Sequence, residues 1–355
     1  MRSGAFHGGA FFEAIGVDLR QLERSAGVIS ADVLDAWFDP SPRVLDFLQA
    51  NLPFLLRTSP PNHAEGLVAE VALWRGVPES SILAGGGSSA LLFGCLPRII
   101  APGAGVLLLD PMYSEYEHIA GTLLGAQIHR HSLREDDGFE LNLHHLADDI
   151  RRLRPDAVLL VNPSNPTGGL WDRQAMLDLI DSTPPPTRFV VDETYIDYAG
   201  PAESLETEAA LRRNLIVIKS MSKVYALSGA RVAYLVASPE VADGLRPWLP
   251  PWPVGLLAQA AAMEALRDPD YYTARHSETR LLREDFRARL APLNPMPSQA
   301  NFFLIRPPNA AELACRLRED GIYVREFGDG PLAGRWLRVT VKDAALSARI
   351  SEAML

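Results

Sequence analysis

The sequence predicts an α/β protein: a mostly parallel sheet sandwiched by helices, followed by a small α+β unit at the C-terminal end. Three observations carry that expectation. Between residues 82 and 237, short apolar runs alternate with helix-like patterns. The runs are apolar throughout, as strands covered on both faces are. Several end in polar, Gly or Pro clusters, and open α/β sheets bind their ligands at the carboxyl ends of the strands.

Taken in order, the strand-like runs are ILAGGG, GVLLLD (105–110), DAVLLVNP (156–163), RFVVDET (188–194), NLIVIKS (214–220) and ARVAYLVA (230–237). Between them lie the helical SSALLFGCLPRII, SEYEHIAGTLLGA, NLHHLADDIRRL and DRQAMLDLID. The Pro-rich PWLPPWP at 247–253 reads as a boundary. Two helical patterns follow, at 256–267 and about 270–291, then ANFFLI, the helix AAELACRLRED, and the strands GIYVREF and RWLRVTV. The expected division is an N-terminal arm over 1–45 packing on the small domain, a large domain over 46–250 and a small one over 251–355.

With 355 residues, 47% of them hydrophobic and 22% charged, the chain can bury a sizeable core. A net charge of -10 argues against nucleic acid or an anionic membrane as partner, since both need a basic footprint. A small anionic ligand held by a few arginines remains compatible with it. Cys95 and Cys315 each fit the apolar side of a helix, so both read as buried inert thiols without metal-ligand spacing. No disulfide framework or signal peptide is implied, and the run GLLAQAAAMEAL at 255–266 is too short to cross a bilayer. A soluble cytoplasmic protein is expected.

Lysine is scarce: of 34 basic residues only Lys219, Lys223 and Lys342 are lysine. Lys223 follows the apolar run LIVI, within SMSK. Burial beside a strand end favours the neutral, nucleophilic form of an amine. Ser220, Ser222 and Arg231 flank it with phosphate-binding groups. GGGSS (85–89) closes one strand and opens a helix, which offers free N–H groups at Gly87, Ser88 and Ser89; alone it is also an ordinary strand-to-helix turn. NPSNPTGG (162–169) is a rigid turn that presents Asn165. Asp192 ends a buried strand, either as a structural cap or ion-pair partner or as an acid awaiting a ligand. An aldehyde for the lysine, a phosphate, and a ring nitrogen needing an anion together describe pyridoxal 5′-phosphate. Lys223 would attach the aldehyde, Asp192 would keep the ring nitrogen protonated, Asn165 and Tyr195 would hydrogen-bond the ring's 3-oxygen, and Tyr113 would stack on the ring.

The order NPSNPTG, DETY, SMSK and then arginine resembles fold-type I pyridoxal-phosphate enzymes of the class I/II aminotransferase family. The spacings agree, with 27 residues from Asn165 to Asp192, 31 to Lys223 and eight to Arg231. The likeness runs from about Gly85 to the C-terminus and is greatest to histidinol-phosphate aminotransferase and threonine-phosphate decarboxylase. It implies a homodimer, a phosphate cradle at GGGSS, and Arg325 and Arg338, thirteen residues apart, gripping the substrate's acidic group. The departures lie toward the N-terminus. Ser59 in LRTSPPNHAEG stands where the relatives' cross-subunit tyrosine is expected, so Ser59, Asn62 or His63 takes over that contact or it is lost. VLDAWFDPSP replaces an asparagine-rich run, so Trp37 and Phe38 would bring aromatic bulk toward the substrate. His7 in HGG is similar to the start of threonine-phosphate decarboxylases.

These features imply an aminotransferase acting on an amino acid or amino-phosphate and a 2-oxo acid. The alternatives are a lyase on the same scaffold (decarboxylating, eliminating or cyclising) and a non-catalytic coenzyme-binding module.

Overall fold

The computed structural model describes residues 10–17 and 19–355; His7 lies outside them. Eleven strands are present among these residues: β1 Ile29–Ala31, β2 Ile82–Gly85, β3 Gly105–Asp110, β4 Gln127–Ser132, β5 Ala157–Val161, β6 Arg188–Asp192, β7 Leu215–Ser220, β8 Ala233–Ala237, β9 Phe302–Ile305, β10 Ile322–Glu326 and β11 Leu337–Thr340.

Seven of them form one sheet in the order β2-β8-β7-β6-β5-β3-β4. The pairs from β4 through β7 are parallel, while β8 runs antiparallel to both β7 and β2. Side chains alternate across the pleat, so each strand serves two cores. Leu107, Val158, Leu160, Phe189, Val191 and Val217 face one core, together with the helices Leu143–Leu153 and Arg173–Ser182. Val106, Leu108, Leu159, Val190, Ile216 and Ile218 face the other, against the helix Ser88–Ile99. That two-sided burial is why the strands read as unbroken apolar runs. β4, with sequence QIHRHS, escaped that signature because it is the partly exposed edge strand.

The second sheet runs β1-β10-β11-β9 around its own core of Phe286, Phe303, Leu313, Leu317, Leu337 and Ile350. β1 joins it by parallel pairing, with Ile29 opposite Ile322. One expectation is corrected here: Cys95 is buried, but Cys315 is exposed. The helix Ala310–Glu319 buries Ala310, Leu313, Ala314 and Leu317, and residue 315 falls on its other side. Among the described residues no helix is long and apolar enough to cross a membrane.

Candidate active site

Sheet register assembles the site. Ala233 of β8 is paired with Gly85 of β2 on one side and Ser220 of β7 on the other. The carboxyl ends of β2 and β7 and the start of β8 therefore lie in one row. That row brings Gly87 to Ser222 and Arg231, from which it is far apart in sequence.

Arg231 donates from Nη1 to the Ser222 hydroxyl at 3.3 Å and to the Ser228 carbonyl at 3.2 Å. The Ser220 hydroxyl accepts from the Ser222 amide at 3.3 Å, capping the short helix that carries Lys223. The Arg231 guanidinium lies directly against Gly87, where an added Cβ would collide with it. Gly87 also has φ +94°, a conformation that side chains disfavour. Ser88 and Ser89 form the first turn of the helix Ser88–Ile99, beside that guanidinium. Backbone N–H groups, hydroxyls and a guanidinium thus share one concave turn, a donor set suited to a phosphate.

Further along the sheet edge, Asp192 at the end of β6 is buried. Its Oδ1 accepts from the Thr194 amide at 2.8 Å and hydroxyl at 2.6 Å, and its Oδ2 accepts from Tyr116 at 2.8 Å. Burial raises its carboxyl above the usual carboxylate range, and the hydrogen bonds from Thr194 and Tyr116 offset only part of that. No cation is paired with it among the described residues, so a protonated ring nitrogen suits it. Asn165 and Tyr195 are both buried, with Asn165 Nδ2 donating to the Tyr195 hydroxyl at 3.3 Å. Burial drives the Tyr195 hydroxyl upward as well, against the opposing pull of Arg338. Tyr113 packs edge-on against Tyr116, with ring centroids 6.4 Å apart.

Arg338 of β11 reaches across from the small sheet. Its Nη1 donates to Asn165 Oδ1 at 2.6 Å and its Nη2 to the Asp32 carbonyl at 3.0 Å. Its Nε is buried and has no hydrogen-bond partner. Burial, with Arg325 nearby, pushes this guanidinium down to about 10 despite the opposing effect of Tyr195. An anion beside it would restore what burial removes.

Lys223 is largely buried, and its Nζ donates to Asp35 Oδ1 at 2.8 Å and to Ser228 Oγ at 3.5 Å. Lys219, four residues earlier, points elsewhere. It is buried 3.3 Å from Asp197, 3.4 Å from Glu206 and 3.7 Å from Glu193, in a cluster that also holds Arg75. Trp37 donates its indole N–H to Thr279 at 2.9 Å, and Phe38 packs among Tyr271, Tyr272 and His276. Both aromatic contacts run to the long helix Pro269–Arg289. Of this N-terminal segment it is Asp35 that meets Lys223. Sequence reasoning missed Asp35, Tyr116 and Thr194; only Thr194, two residues beyond Asp192 as an Asx-type partner, carried a local signal.

A model of aminotransferase class I and II matches residues 31–353. The chain belongs to the class I and II aminotransferase family. This aminotransferase has the fold-type I architecture and uses pyridoxal 5′-phosphate, for which the cradle, the buried acid and the lysine provide fitting groups. It is 32% identical over 294 residues to histidinol-phosphate aminotransferase 1 of Dechloromonas aromatica, covering 81% of this chain and 79% of that one. The histidinol-phosphate aminotransferase of Clostridium acetobutylicum superposes with a TM-score of 0.84 at 21% identity, over 92% of this chain and 98% of that one. L-threonine-O-3-phosphate decarboxylase from Porphyromonas gingivalis superposes with a TM-score of 0.80 at 25% identity, over 92% of this aminotransferase and 97% of that chain.

Proposed function

We propose that this aminotransferase moves an amino group between a primary amine bearing a carboxylate or phosphate and a 2-oxo acid, with Lys223 as its catalytic residue. The observation that carries the substrate class is the buried, unpartnered Nε of Arg338 beside Asn165. Arg325 lies opposite Arg338 in the strand register and adds a second guanidinium for the same anion. Bound, the coenzyme supplies an aldehyde that takes up amines and a ring that stabilises negative charge on the reacting carbon. Gly87, Ser88, Ser89, Ser220, Ser222 and Arg231 would hold its phosphate. Asp192 would hold the proton on its ring nitrogen, Asn165 and Tyr195 would bond its 3-oxygen, and Tyr113 would cover a ring face. The Nζ of Lys223 takes the Cα proton of the substrate as general base and returns it as general acid.

A homodimer fits the apolar side chains left exposed on the helix Pro42–Arg57, where Leu45, Phe47, Leu52, Phe54 and Leu56 all face outward. Two free cysteines fit a reducing, cytoplasmic setting.

The test is to mix the yellow protein with single amino acids and amino-phosphates. Conversion of the coenzyme to its amine form without carbon dioxide release supports the reading. Release of carbon dioxide or ammonia, with the yellow colour restored, would place the chain among lyases instead.

A further inference from the structure

Asp35 is delivered to Lys223 by an unusually well-tied segment. From the last residue of β1 onward, four successive carbonyls each accept a side-chain hydrogen bond. Thr340 donates to Ala31 at 3.0 Å and to Val33 at 3.1 Å, Arg338 to Asp32 at 3.0 Å, and Asn301 to Leu34 at 3.0 Å. Arg338 and Thr340 project from one face of β11, so the segment lies along that face as a strap. Three residues past the last tie, Trp37 is fastened to Thr279. The backbone on both sides of Asp35 is therefore fixed, and its carboxylate meets the Lys223 nitrogen at 2.8 Å.

The Asp35 side chain is half exposed while Lys223 is largely buried, so solvent screens the acid end of the pair and weakens its contribution to stability. The pair matters for the lysine it touches. Burial acts to raise the Asp35 carboxyl, but Lys223 outweighs it, with further help from Ser228 and Lys342, and the carboxyl lies below the usual range. Lys223 thus favours the anionic form of Asp35. The charged and titratable groups that face it are Lys223, Lys342 just beyond β11, and Tyr195 and Tyr198 beyond β6, while Asp32 on its own segment acts on Lys342.

We propose that Asp35 is a positioning residue for Lys223: it holds and orients the protonated nitrogen before the coenzyme attaches and remains its counter-ion afterwards. This rests on the reading of Lys223 as the attachment residue. Removing the carboxylate takes away an opposite charge and a directional acceptor 2.8 Å from that nitrogen, a change that a purely structural contact would not pass on to the lysine's chemistry.

Two measurements test it. In the full chain freed of coenzyme, acylation of Lys223 is followed against pH by peptide mass spectrometry, with Lys219, which pairs with other acids, as internal reference. In the coenzyme-loaded protein, the pH midpoint of the coenzyme's visible absorbance is titrated. In Asp35→Asn both midpoints fall by about one pH unit or more, and Asp35→Glu restores at least half of the shift. Unchanged midpoints in a folded Asp35→Asn protein, or in Asp35→Ser where the first variant does not fold, would overturn the proposal. If borohydride fixes the coenzyme on another residue, the reading of Lys223 fails, while the acylation profile still decides whether Asp35 governs its proton.

Discussion

Arg325 and Arg338 sit directly opposite each other across β10 and β11, two guanidinium groups in one cross-strand pair. Like charges so placed repel, and burial of Arg338 adds to the cost. On the proposed reading, the acidic group of the substrate is the anion that offsets this cost.

Replacing Arg338 with Gln should therefore leave stability unchanged or slightly higher while weakening the acidic substrate. A lost hydrogen bond to a charged group is worth about 1.5–3 kcal/mol, so KM should rise by roughly 10- to 100-fold. Arg325→Gln should give a smaller rise. Steady-state kinetics with a thermal melt of each variant separates the two effects.

Gly87→Ala should lower coenzyme affinity by at least about tenfold, because strain at φ +94° and displacement of Arg231 act together. Arg231→Ala should lower it by a similar amount without backbone strain. Absorbance titration of the coenzyme-free proteins checks both. Equal affinity in wild type and Gly87→Ala would remove the cradle from the account.

Much of this was legible in the sequence, because two-sided burial and strand-end chemistry leave local marks. The unbroken runs VLLV, FVV and LIVI marked the central strands, and the polar segments after them pointed to Asn165, Asp192 and Lys223. What was not legible depends on register between distant strands. Nothing local announces that Ala233 pairs with both Gly85 and Ser220, or that Asp35 meets a lysine 188 positions away. Likewise nothing local to Trp37 announces the bond from its indole to Thr279, on a helix that starts more than two hundred residues later.

The two lysines of IKSMSK should part company under mutation. Lys219→Ala leaves Glu193, Asp197 and Glu206 buried with Arg75 alone, and breaking such a buried set costs about 3–5 kcal/mol. Chemical denaturation should report that loss. Lys223→Ala should melt close to wild type yet form no covalent link to the coenzyme.

One component of stability should fall as pH rises across neutrality. Burial, with Glu206 nearby, drives the Glu193 carboxyl up to about 7, even though Lys219 and Ser204 pull it down. A carboxyl raised on folding binds more protons in the folded state, so its contribution is full below the ordinary carboxylate range and lost as pH passes 7. Burial lowers the His276 imidazole and acts in the opposite direction, so the comparison is with Glu193→Gln: in thermal melts between pH 5 and 8, the stability of wild type relative to that variant should fall as pH rises. A difference that rises across this window would contradict the assignment.

The most direct measurement is borohydride reduction of the yellow protein, followed by digestion and mass mapping of the coenzyme. With only three lysines in the chain, the answer is unambiguous. The account predicts a single labelled position, Lys223, and a label that disappears in Lys223→Ala. Coenzyme fixed on Lys219 or Lys342, or no label at all, would contradict it.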